Sequence, residues 1–381
     1  MTWILLTLVI PLMQFGLSWW FSMASVGSII GIVKLRNSSN IVDNQNPILV
    51  LAIVGMYMAY LAQSFGDFHS FLRVSREVLI LILMSFVANR KVLVVNLSMI
   101  RKYSRLLLLI SSVQLMLTIL QFVLLQNGRW FGPPEIWFAG RGSLIPTNLD
   151  LIYSYIRPSG SFSEPSFLGI VCLTIIVISI PRLGKDRIFR IIFLISSITI
   201  LISQSKSSIL FLFIILIHIY RIFRGSLVEK FPVLFLGVLV SLALIYTQIF
   251  SRIQGSSSSE ISINNRIFIP IKFLLTSISD HPFGTDFYGR VSSVLDLTTG
   301  LTWETILHNS IYNLIFSYGL FGFVVLVVIL QLFRKSFELQ VYLFALLLQN
   351  GSFLDFDKLF LVLVASVLYR QMRNVDEEQI I

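Results

Sequence analysis

The sequence predicts an all-α polytopic membrane protein, and three observations carry that expectation. Hydrophobic residues make up 56% of the 381-residue chain and charged residues only 13%, about half the charged fraction of an ordinary soluble domain. The mean hydropathy is +0.85. The apolar residues are gathered into runs near the length that crosses a bilayer, about 20 residues. Lys and Arg favour alternate connections between those runs. So few charges cannot cover the surface of a soluble enzyme of this size, and the apolar content excludes a disordered chain. The net charge of +10 is scattered through short loops, so nucleic acid is not an expected partner.

Residues 2–15 and 16–33 form one or two helices. The first residues lack the basic region of a secretory signal, although Ser22-Met23-Ala24 resembles a cleavage site, and the segment reads as a retained helix. The run 47–64 is clean, whereas 70–89 carries Arg73, Arg76 and Glu77 in its first turns. Runs follow at 106–126, 165–180, 190–203, 207–220 and 231–250. The last are 310–332, 337–350 and 356–370, for about 11–12 spans in one integral membrane domain over 1–381. The single cysteine, Cys172, lies inside a run, which excludes an intrachain disulfide and a multi-cysteine metal site.

Of the 29 Lys and Arg residues, 18 fall on one set of alternate connections and 11 on the other. The eighteen sit in short loops, where the positive-inside bias operates. The eleven lie mostly in two long loops, 127–163 and 251–308, which are therefore expected to face outward. With twelve helices both termini are inside.

Loop 127–163 opens on Trp130, Phe131, Pro133, Pro134, Trp137 and Phe138, an interfacial aromatic belt. It ends in Arg157-Pro158-Ser159-Gly160 and runs through Ser163-Glu164-Pro165 into the next helix. Pro165 fits the first turn, with Ser163 or Glu164 capping it. The partial positive charge of that helix end, with Arg157 before it, suits an anionic phosphate. A capped helix with an arginine snorkelling to headgroups fits the same residues.

Loop 251–308 begins with Gly255 and four serines, a flexible linker. Asn264-Asn265-Arg266 leads into an apolar stretch, 267–278, interrupted by Pro270 and Lys272, which suits a helix lying in the membrane surface. A turn-rich segment, His281-Pro282-Phe283-Gly284, follows, and the loop closes on Glu304, His308 and Asn309. If 301–312 is helical, Glu304, His308 and Tyr312 share one face. A carboxylate beside the imidazole raises its basicity and makes a general base at the outer surface. An interfacial histidine bonded to a neighbouring loop is the alternative. His69 and His281 are weaker candidates, and His218 sits at an inner helix end. Asp355-Phe356-Asp357 and Asp67 with His69 have metal-ligand spacing but little else in support. No phosphate-binding loop, dinucleotide fingerprint or nucleophile elbow occurs.

These segments carry a resemblance. Arg157-Pro158-Ser159-Gly160, continuing through Glu164-Pro165 to Gly169, resembles the arginine–glycine–glutamate–proline signature of Wzy-type O-antigen polymerases. Ser203-Gln204-Ser205-Lys206-Ser207 is similar to the serine-rich turn such proteins have between two spans. Arg266, then His281-Pro282-Phe283-Gly284, then His308-Asn309 before a Tyr/Gly-containing helix resemble the wider O-antigen polymerase and ligase superfamily. Glu164 before Pro165 is nearer the polymerases than the ligases. Lys206 stands where an arginine is common, and Gly289 follows Gly284 later than the family's second glycine.

The resemblance implies a GT-C-like fold and an inverting, metal-independent glycosyltransferase with no cofactor. Donor and acceptor would be undecaprenyl-pyrophosphate-linked glycans meeting at the periplasmic face of the bacterial inner membrane, with a chain-length regulator as a further partner. Arg157, Arg266 and His308 would be catalytic, the arginines on the pyrophosphate and the histidine on the attacking hydroxyl. Glu164, Lys206, Arg290, Glu304, Asn309 and Tyr312 would line the substrate site, with no metal. A ligase using lipid A-core as acceptor and a lipid-linked oligosaccharide flippase are the alternatives. Transporters place ionisable groups near the bilayer midplane and show repeated halves, neither of which is evident here.

Overall fold

Helix is the regular structure of the described residues, and no strand occurs among them. The computed structural model describes residues 2–15, 22–37, 47–64, 66–90, 97–132, 157–222, 278–285, 309–349 and 352–378, with positions 237, 271 and 274. In chain order the helices are α1 (Thr2–Val9), α2 (Met23–Asn37), α3 (Pro47–Ser64), α4 (Phe68–Asn89), α5 (Leu97–Gln126) and α6 (Pro165–Ser179). After these come α7 (Arg187–Ser203), α8 (Lys206–Ile222), α9 (Ser310–Tyr318), α10 (Leu320–Gln331), α11 (Phe337–Leu347) and α12 (Phe356–Glu378). Short 3₁₀ turns extend α1 (Ile10–Leu12) and α6 (Ile180–Arg182). The expected run 231–250 lies outside the described residues apart from position 237, and 267–278 is described at 271, 274 and 278, all helical.

Among the described residues, two elements are long and apolar enough to cross a membrane, Leu97–Gln126 and Pro165–Arg182. Helix α5 buries Ile100, Tyr103, Leu107 and Ile110 in its first half, but from Ser111 on it is polar on its buried face and mostly apolar on its exposed one. Ser104, Ser111, Gln114, Thr118 and Gln121 recur at helical spacing and are at most 2% exposed, while Leu109, Met116 and Val123 are 58%, 66% and 51% exposed. Water would favour the reverse arrangement; lipid favours this one, because buried polar groups can pair inside the protein.

The chain divides into two units, one of 1–41, 90–247 and 359–381, the other of 42–89 and 248–358. In the first, α5 and α6 both pack on α7, α6 also packs on α8, and α1 packs on α2 and α5. Ser111 Oγ and Ser196 Oγ, 3.2 Å apart, join α5 to α7 across that packing. Gly27 and Gly31 are four residues apart on α2 and lie against the Phe360 ring and the Leu363 side chain of α12, with no room for a Cβ. Such small-xxx-small faces let helix backbones approach closely. Gly31→Val is therefore expected to cost about 1–3 kcal/mol through overpacking, read as a lower apparent melting temperature of the purified protein.

In the second unit α3 packs on α4, α9 and α10, and α11 packs on α9 and α10. The expected continuous run 310–332 is broken. Gly319, at φ 56 and ψ −130, separates α9 from α10. That conformation is open essentially to glycine alone, and the Pro282 carbonyl occupies the place of a Cβ. Gly322 lies against Leu314 and Ile315, residues a continuous helix would hold about 10 Å away. The chain therefore bends back on itself, and hydropathy alone does not register the bend.

Candidate functional site

The guanidinium of Arg157 is seated on the turn that joins α7 to α8. Gln204 ends α7 in a left-handed conformation, φ 52 and ψ 30, which few non-glycine residues adopt. Its carbonyl accepts a hydrogen bond from Arg157 Nη1 at 2.9 Å. Ser205 follows, its hydroxyl donating to Ser208 Oγ at 3.0 Å, and Lys206, exposed, begins α8. Gly169 of α6 lies directly against the Ser205 and Ser208 hydroxyls, where no Cβ fits. Segments 157–169 and 203–207, singled out separately in the sequence, are thus in contact.

Glu164 occupies the N-cap position of α6, extended at φ −140 and ψ 149, with Pro165 as the first helical residue. Neither Glu164 nor Ser163 makes the expected side-chain cap. The Glu164 carboxylate accepts instead from Ser166 Oγ at 2.9 Å, and Ser163 Oγ donates to Gln14 Oε1 at 3.2 Å. A carboxylate already stands at this positive helix end.

Three glutamines that the sequence reading passed over hold the turn between Arg157 and Glu164. Gln121 Oε1 accepts from the Ser159 N–H at 2.9 Å and the Gly160 N–H at 2.8 Å, and Gln121 Nε2 donates to the Gly160 carbonyl at 2.8 Å. Gln114 Oε1 accepts from the Ser161 N–H at 3.2 Å, while its Nε2 donates to Ser161 Oγ at 2.8 Å. Gln14 Oε1 accepts from the Ser163 N–H at 3.0 Å, and Ser161 Oγ donates to the Pro11 carbonyl at 3.1 Å. Gly160 is left-handed, φ +62, with Gln114 Oε1 at 2.5 Å from where a Cβ would stand. All three glutamines are 1% exposed. The available signal was the polar spacing Ser111, Gln114, Thr118, Gln121 inside an apolar run.

In the second unit Asn309 is 6% exposed and caps α9, its side chain accepting from the Ile311 N–H at 2.9 Å. Asn309 is itself extended, φ −136 and ψ 122. The expected helix over 301–312 therefore does not run through Asn309, because the Asx cap starts the helix at Ser310. Tyr312, buried, lies in the first turn of α9. Ser310 donates from both N–H and Oγ to the Gln349 carbonyl, at 3.1 and 3.0 Å, and Lys358 Nζ donates to Ser310 Oγ at 2.6 Å. Lys358 is 3% exposed beneath this helix start. His308, Arg266, Arg290 and Glu304 lie outside the described residues.

The His281–Thr285 turn is docked in the same unit. The Thr285 N–H donates to the Phe316 carbonyl at 2.9 Å, and the Leu320 N–H donates to the Pro282 carbonyl at 2.9 Å. Gln63 Nε2 donates to the carbonyls of Phe283 and Ser317. Beside it, Glu77 of α4, its side chain 2% exposed, accepts from Arg73 Nε at 3.2 Å, faces Arg76 Nη2 at 3.8 Å, and accepts from the Tyr318 hydroxyl. Arg73 Nη2 also donates to Ser317 Oγ at 3.2 Å. In the sequence the two arginines counted only toward orientation. Their spacing from Glu77, four residues and one, was the available clue.

Asp67 is committed to capping α4. Its carboxylate accepts from the Ser70 hydroxyl and from the N–H groups of Ser70 and His69. The Ser70 hydroxyl bond, then the two backbone bonds, hold this carboxyl below the usual carboxylate range. A group depressed in this way stabilises fully above its unfolded value, about 3.9. The contribution is lost as pH falls through the lower folded value. The Asp67 side-chain carbon is expected to titrate below about pH 3.9 by nuclear magnetic resonance, and to return toward that value in Ser70→Ala. Among the described residues no three His, Cys, Asp or Glu side chains gather as a metal site.

A family model described as WcaD colanic acid polymerase matches residues 1–371. No curated protein and no solved structure matches the chain.

Proposed function

Because the chain belongs to the WcaD colanic acid polymerase family, we propose that it polymerises polysaccharide repeat units carried on undecaprenyl pyrophosphate, at the periplasmic face of the bacterial inner membrane. The family supports a membrane-bound polysaccharide repeat-unit polymerase with glycosyltransferase-type activity. The donor, the stereochemistry, the count of about 11–12 spans and the residue roles are the proposal. The family description names colanic acid rather than O-antigen. The acceptor proposed is accordingly a second lipid-linked repeat unit and not lipid A-core.

One observation supports the reading most: Arg157, anchored on the Gln204 carbonyl, brings a permanent cation to a turn that already carries Lys206. In the proposed reaction the acceptor hydroxyl attacks the anomeric carbon of the donor sugar. The bond from that carbon to the pyrophosphate oxygen breaks, and the oxygen keeps the electron pair. Charge therefore grows on the pyrophosphate, where planar guanidinium groups of Arg157 and Arg266 stabilise it by paired hydrogen bonds. His308 accepts the proton of the attacking hydroxyl, and inversion follows from the single displacement. Lys206 and Arg290 are further phosphate contacts. Glu164, Glu304, Asn309 and Tyr312 complete the proposed substrate site. A chain-length regulator is a proposed partner.

Reconstitution with a defined lipid-pyrophosphate-linked repeat unit is expected to yield a ladder of products with inverted linkages. Arginines supply the charge stabilisation in this scheme, so excess chelator is expected to leave the rate within about twofold, the ordinary scatter for a context-dependent effect. Transport of the substrate without new glycosidic bonds would overturn the proposal.

A further inference from the structure

We infer that Gln121, with Gln114 and Gln14 in support, positions Arg157 for the reaction. The inference rests on the reading of Arg157 given above. The turn 159–163 starts two residues after Arg157, and its N–H groups at 159, 160, 161 and 163 all end on glutamine oxygens. A carboxamide is suited to this task because it accepts and donates from one rigid plane. Gln121 uses both abilities on Gly160, accepting from its N–H and donating to its carbonyl. A leucine in its place would leave three buried backbone groups unpaired.

The same turn is closed to adjustment from the other side. Gly160 is left-handed and Gln114 Oε1 fills the space a side chain would need. Arg157 is thus tied at two places. Its backbone leads straight into the glutamine-held turn, and its guanidinium rests on the left-handed Gln204 at the end of α7. Helices α5 and α7 pack directly on each other, so both supports belong to one rigid pair. The Pro11–Gln14 segment adds a third support through Ser161 and Ser163. Non-helical backbone at membrane depth is tolerated when protein groups satisfy it. Here the satisfying groups come from two separate stretches of chain, α5 and the Pro11–Gln14 segment, and converge on the residues next to one arginine. Placement errors near 1 Å cost about 100-fold in rate, which gives this support a catalytic consequence.

The test is a double-substitution cycle on the full-length protein in lipid nanodiscs, using a defined lipid-pyrophosphate-linked repeat unit under single-turnover conditions. Gln121→Ala is expected to lower kcat about 10- to 100-fold with donor KM changed by less than about threefold. Gln121→Glu, which keeps the acceptor oxygen and loses the donor, is expected to fall between. In an Arg157→Ala background, Gln121→Ala should add less than about twofold, because it acts through the missing group. Multiplicative losses, or an unchanged kcat in Gln121→Ala, overturn the inference. If Gln121→Ala does not fold, Gln114→Ala and Gln14→Ala enter the same cycle, with the same two outcomes deciding. A wild-type rate in Arg157→Ala overturns the pyrophosphate reading instead, so the two failures are distinguishable.

Discussion

Arg157→Ala is expected to slow polymerisation by about 10²–10³-fold while the protein remains folded. The loss should fall on kcat, since the guanidinium matters most when the pyrophosphate takes up charge as the glycosidic bond breaks. The structural cost is small, because the glutamine-held turn does not depend on the arginine side chain. The bond to the Gln204 carbonyl is lost, about 1 kcal/mol for a typical hydrogen bond. Arg157→Lys is expected to recover little. An ammonium can satisfy the Gln204 carbonyl or meet a phosphate oxygen, but it lacks the planar fork that does both. Single-turnover rates on a lipid-linked repeat unit, beside melting curves of the same preparations, separate the two effects. His308→Ala, assayed alongside, is expected to lose about 10²–10⁴-fold through the missing base. Normal polymer length in both variants at normal expression would remove these residues from the mechanism.

What the sequence made legible follows from what lipid demands. Apolar runs at 47–64 and 165–180 coincide closely with α3 and α6, and those at 337–350 and 356–370 start with α11 and α12, although α12 runs on to Glu378, because apolar surface must meet lipid or pack against other apolar surface. The bend at Gly319 was invisible to the same argument. Hydropathy reads side chains, and the bend is a backbone event made possible by one residue that has none. The site divides in the same way. Arg157 and the 203–207 turn stood out as polar residues at the ends of runs, but nothing in their spacing said that one sits on the other. Gln114 and Gln121 were hidden for the opposite reason. They lie inside a run long enough to span, where two amides barely lower the average. Only their common face with Ser104, Ser111 and Thr118 marks α5 as a helix with a polar inner side. The periodicity over 301–312 does not register the break at Asn309, whose short side chain caps a helix more readily than it continues one.

Glu77→Leu is expected to be the most destabilising single change among the residues discussed. The carboxylate receives Arg73, Arg76 and the Tyr318 hydroxyl with its side chain 2% exposed. Its removal leaves the two guanidinium groups without this shared anion and a phenol without this acceptor. Breaking a buried ion pair from one side costs about 3–5 kcal/mol. Arg73 is 36% exposed by side chain, so part of its charge is screened and the lower end of that range applies. Glu77→Gln keeps an acceptor for Tyr318 and should cost less. Adding Arg73→Met to Glu77→Leu should restore part of the loss, since removing both partners of a buried pair is far cheaper than removing one. Function should follow stability here. Arg73 also donates to Ser317, whose carbonyl shares Gln63 with that of Phe283, so loosening α4 loosens the His281–Thr285 turn. Yield of monodisperse protein and apparent melting temperature in a fixed detergent read the first effect, and the product ladder reads the second. If Glu77→Leu melts with the wild type while Glu77→Leu/Arg73→Met melts lower, the carboxylate does not hold these helices and packing alone does.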